Sequence, residues 1–95
     1  MTTPSHVTKT LIEEKLTRDL NAIRVDVEDE TWRHAGHAGA ATGGGHFIVT
    51  IVSPKFEGVN ALDRRRLVFQ ILQAEMQGAI HALTVKAFTP GESPT

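Results

Sequence analysis

His46-Phe47-Ile48-Val49-Thr50-Ile51-Val52-Ser53, closed by Pro54, is the stretch on which the fold turns. Phe47, Val49 and Ile51 point one way along an extended chain, and Ile48, Thr50 and Val52 the other. Apolar side chains on both faces suit a central strand, and Pro54 removes the donor that would continue it.

Downstream, Phe56-Glu57-Gly58 reads as a turn, and Asn60 as the cap of a helix whose third residue is Asp63. A carboxylate there suits the positive helix end. Leu67, Val68, Ile71, Leu72 and Met76 form the predicted buried stripe, with Gly78 as the stop. Ile80 to Phe88 follows as a strand, ended by Pro90, and residues 90–95 are expected to fray.

Upstream, residues 31–45 show no periodicity and hold five of the eight glycines, which predicts a long flexible loop. Before it, Val25 and Val27 alternate with Arg24, Asp26 and Glu28 as a half-exposed strand. Val7, Leu11, Leu16, Leu20 and Ile23 recur at helical spacings. They predict an amphipathic helix over about 5–21, with Thr3 and Pro4 as cap and first turn.

The order α-β-β-α-β makes one α+β domain over residues 1–95, with an ordered core at about 5–89. The first two strands pair antiparallel around the loop. A right-handed crossover then sets the third strand parallel to the second, giving a three-stranded mixed sheet with both helices on one face.

Composition narrows the function classes. Ninety-five residues, 40% hydrophobic, can bury one modest core but no deep walled active site. No run is long enough to cross a bilayer, and no leader-like segment opens the chain, so the cytoplasm and no membrane partner are expected. The absence of cysteine excludes thiol nucleophiles and thiolate ligands from this chain. A net charge of −1 is far from the basic balance of a dedicated nucleic-acid binder. With no Gly-x-Ser-x-Gly elbow and no phosphate-binding loop, catalysis has little support.

Five blocks in order resemble the BolA family: residues 25–39, Gly-His-Phe-Ile-Val-Thr-Ile-Val-Ser at 45–53, Phe-Glu-Gly at 56–58, Asp-Arg-Arg-Arg-Leu-Val-Phe at 63–69, and Ile-His-Ala-Leu-Thr-Val-Lys-Ala-Phe-Thr-Pro at 80–90. The resemblance implies a fold like the class II KH domain. It also implies pairing with a monothiol glutaredoxin and a [2Fe-2S] cluster shared between them. The glutaredoxin and its glutathione would supply sulfur and this chain histidine, with no cofactor in the isolated protein. His81 stands at the family's ligand position. His34 or His37, in the loop, would be the second ligand, with His34 preferred. Arg64-Arg65-Arg66 stands where the family usually has Arg-His-Arg, and the tryptophan that often follows Thr-Pro is missing.

On position alone, His81 shares parity with Leu83, Val85 and Ala87 and reads as half-buried, bonded to backbone. His46 reads as a cross-strand surface histidine. Arg64, Arg65 and Arg66 spread over about 200° of the helix, at ~100° per step, and make no single flat patch. With Lys55 and Lys86 they are the candidates for a phosphate or glutathione-carboxylate contact. They also carry the second functional reading, a DNA-binding transcriptional regulator that uses this helix. The Gly-x-x-Gly loop that clamps RNA in KH domains is absent. A weak homodimer of the free protein is left open.

Overall fold

A computed structural model describes residues 5–30 and 45–92. The elements are α1 (Ser5–Leu20), β1 (Arg24–Asp29), β2 (Gly45–Val52), α2 (Ala61–Ile71) and β3 (Ile80–Phe88). The sheet order is β1-β2-β3, with β1 antiparallel and β3 parallel to the central β2. This is the predicted α+β arrangement. The predicted cap at Thr3 and Pro4 lies outside the described residues.

The core forms on one face of the sheet. Phe47, Val49 and Ile51 of β2, flanked by Val27 and Leu83, meet Ile12, Leu16 and Leu20 of α1 and Val68 of α2. Phe56 and Leu72, both fully buried, close its ends.

The buried row of α1 is Thr8, Ile12, Leu16 and Leu20, at strict four-residue spacing. The expected stripe was partly different: Val7, Leu11 and Ile23 are exposed. One residue is 100° of helix, so the row through Leu16 and Leu20 reaches Ile12 and leaves Leu11 on the flank. Ile23 falls beyond the helix, because Asn21 takes a left-handed conformation (φ 47°). The Ala22 N–H then donates back to Thr17 O at 3.2 Å, as in a Schellman stop. Two further groups secure this helix end: the buried Ser53 hydroxyl donates to Leu20 O, and Lys55 Nζ to Asp19 O.

In α2 the expected cap is present: Asn60 Oδ1 accepts from the Asp63 N–H at 2.9 Å. The helix ends at Ile71, earlier than the predicted stop at Gly78. The apolar spacing overruns the helix because the Met76 N–H still donates to Leu72 O, and a 3-10 turn, Glu75–Gln77, carries the chain on. Gly78 is extended (φ −172°) and is not a left-handed stop. Among the described glycines, Gly58 needs its freedom, with φ 73° in the turn before α2.

The tail differs from expectation as far as Glu92. Pro90–Glu92 forms a 3-10 turn, and the Glu92 carboxylate accepts from Arg64 and from the Thr89 N–H. Residues 93–95 lie outside the described residues.

Candidate metal-ligating site at the start of the third strand

Parallel strands bring their starts together, and here both starts carry histidine. Gly45 pairs with Ile80, but His46 pairs with Ala82. His81 is therefore the extra residue of a β-bulge on β3. A bulge re-aims the side chain it ejects. That reverses the parity expectation: Ile80 and Leu83 face the core, whereas His81 is exposed.

The surroundings of the bulge are held from three sides. The Gly45 N–H donates to Ala79 O at 3.0 Å, fixing the strand start just before His81. The Glu30 N–H donates to His46 O at 2.8 Å, carrying the pairing of β1 up to this corner. Lys15 Nζ meets both carboxylate oxygens of Glu75 at 2.8–2.9 Å, tying α1 to the turn that feeds β3. The imidazoles of His46 and His81 lie 5.1 Å apart, centroid to centroid, tilted by 44°.

His46, expected from sequence as a cross-strand surface histidine, is less exposed than that. It is half-buried, its Nε2 is enclosed, and its ring backs the ring of His81. A signal for this was available in the order of elements. Each histidine stands second in its strand, and a parallel crossover sets those positions side by side. His34 and His37 lie outside the described residues, but both flanks of their segment, Glu30 and Gly45, border this corner.

Among the described residues, no three His, Cys, Asp or Glu side chains stand together as a metal site. The described residues by themselves do not make a self-contained centre. An exposed imidazole with no thiolate nearby fits a different task, that of one nitrogen ligand to an ion whose other ligands come from elsewhere.

The basic candidates do not converge on one patch. Arg64 is turned inward, its side chain only 13% exposed. Its Nε donates to Val59 O at 2.6 Å, and its Nη1 to Ala87 O at 3.2 Å and to Glu92. Arg64 and the Thr89 N–H together hold the Glu92 carboxyl at about 2, below its ordinary 4.5. Arg65 lies over the Phe69 ring at 4.5 Å, and Arg66 is 3.4 Å from Asp63. Lys55 caps α1, and Lys86 is exposed on β3, in register with Thr50. Only Arg65 and Arg66 share the outward side of α2.

Comparison with known proteins places the chain. The chloroplastic protein BOLA1 of Arabidopsis thaliana is 42% identical over 85 residues, which is 86% of this chain and 53% of that protein. The DNA-binding transcriptional regulator BolA of Escherichia coli is 36% identical, over 82% of this chain and 71% of its own. The solved BolA domain of SufE1 from Arabidopsis thaliana superposes with a TM-score of 0.80 at 38% identity, covering 90% of this chain and 95% of that one. The chain spans little more than half the length of several relatives it matches. The model of the family described as BolA-like protein matches residues 16–92, and with these likenesses in sequence and fold, the chain belongs to the BolA-like family.

Proposed function

We propose that this chain is a non-catalytic cytoplasmic adaptor that docks on a monothiol glutaredoxin and completes the shell of a shared [2Fe-2S] cluster. It would serve iron-sulfur and iron homeostasis and redox regulation. The observation that carries this reading is His81, pushed into solvent by a bulge at a braced strand start. The fit lies in the donor set. This chain has no thiolate to give, so its part is imidazole, and the partner and its glutathione bring the thiolates. His81 supplies one nitrogen, and His34 or His37 the other. When bound, the cluster supplies one-electron chemistry, and histidine in place of thiolate raises its potential. The residues of this chain present the nitrogen, brace the strand that carries it, and add no turnover.

The test is to mix the protein with a cluster-loaded monothiol glutaredoxin and record visible absorption and circular dichroism. A spectrum distinct from that of glutaredoxin alone is expected, and it should be lost in His81→Ala. Identical spectra for wild type and His81→Ala would remove the ligand role, and no heterocomplex at all would remove the adaptor.

A second reading is supported by the name of the Escherichia coli relative, a DNA-binding transcriptional regulator. Arg65 and Arg66, on the outward side of α2, would then meet phosphate. Affinity for DNA would fall steeply between low and physiological salt through counterion release, whereas cluster sharing would not.

A further inference from the structure

The pairing of the two imidazoles goes beyond the ligand assignment and rests on it. His81 sits at an exposed bulge, where a lone imidazole would sample several rotamers. A ligand to an ion carried by another chain has to be presented in one direction, because that ion cannot adjust to a wandering nitrogen. His46 answers this need. It begins the central strand, its backbone is tied to Glu30 on one side and in register with Ala82 on the other, and its ring stands 5.1 Å from that of His81. Its own Nε2 is enclosed by the protein, so this nitrogen cannot meet a metal borne by a partner. What the ring offers outward is a wall.

The geometry points to His46 as the positioning residue for His81: a fixed ring that restricts the direction of the ligand imidazole without itself binding the metal.

The two roles separate by substitution. His46→Phe keeps a ring and removes both nitrogens, and His46→Ala removes the ring. An aromatic contact of this kind restricts its partner by roughly two- to tenfold in population. His46→Ala should therefore bind the cluster-free glutaredoxin as wild type does, hold the cluster two- to tenfold less well, and shift its visible dichroism. His46→Phe should restore both retention and dichroism. If His46→Phe behaves as His81→Ala does, His46 is a ligand and the positioning role is wrong. If His46→Ala matches wild type in retention and dichroism, the wall has no effect and the proposal also fails.

A readout in the free protein keeps this separate from the cluster reading. Proton NMR should show contacts between the two imidazoles and a single His81 rotamer, averaged in His46→Ala and restored in His46→Phe. A His81 rotamer distribution equal in wild type and His46→Ala overturns the positioning role even where heterocomplex and cluster form normally. If no heterocomplex forms while the rotamer restriction is present, it is the adaptor reading that fails.

Discussion

Replacing Arg64 by methionine tests whether the arginine run on α2 is a binding surface or partly a structural brace. Methionine keeps most of the aliphatic stem against Phe56, whose ring lies 5.8 Å from the guanidinium carbon, and removes the donors. Two backbone carbonyls, Val59 O and Ala87 O, lose a charged donor. Hydrogen bonds to charged groups contribute about 1.5–3 kcal/mol each when desolvated. The arginine side chain is 13% exposed, but carbonyls freed near the surface regain some water. Taking the lower bound for both gives a loss of about 3 kcal/mol, with the Glu92 contact left outside the sum. For a domain of this size that lowers Tm by roughly 12–24 °C. Arg65→Met is the control, since Arg65 is exposed and touches the Phe69 ring; its loss should cost about 1 kcal/mol at most. Urea unfolding followed by far-ultraviolet circular dichroism measures both, with an unchanged m-value expected. A loss below about 1 kcal/mol for Arg64→Met, or equal losses for the two variants, would refute the brace. The same pair bears on DNA binding. Arg65→Met and Arg66→Met should change any salt-dependent affinity at a stability cost of about 1 kcal/mol or less, whereas Arg64→Met should change stability first.

Two further predictions concern the pH response and the helix face. The depressed pKa of Glu92, about 2 against 4.5, means its stabilisation is complete above pH 4.5 and is lost as pH falls toward 2. The stability difference between wild type and Glu92→Gln should accordingly be flat above pH 5 and shrink between 4.5 and 2; a difference unchanged down to pH 2 would show that the carboxylate is not held by Arg64. On α1, Ile12→Ala opens a cavity in a fully buried site and should cost about 2–5 kcal/mol, while Leu11→Ala, at a partly exposed site, should cost about 1 kcal/mol or less. Chemical denaturation giving the reverse order would mean that the helix faces the sheet one residue around.

The elements were legible because their signals are local. Alternation on both faces from Phe47 to Val52 marked the central strand, Asn60 and Asp63 marked a helix start, and β3 falls on Ile80–Phe88 as read. Where reading and structure part, the deciding contact joins distant segments in two cases and is a local turn in the other. Leu11 and Ile12 are equally apolar in sequence, and packing of α1 on the sheet chose Ile12. The α2 stripe continued past its helix because Leu72 and Met76 keep their spacing through a turn. Arg64 looked like one of three equivalent cations until Ala87 and Glu92, more than twenty residues away, were brought beside it.

The sequence by itself determined the α-β-β-α-β order, the family and the lack of any thiolate, which leaves imidazole as the soft ligand this chain can offer beside a partner's sulfur. Tertiary structure alone decided which nitrogen faces out. An extended chain alternates its side chains, so local reading put His81 with the core face. Pairing β3 against β2 with one residue to spare ejected His81 and set His46 behind it. A bulge belongs to the register between two strands 35 positions apart in the chain, and no local pattern within either strand encodes it.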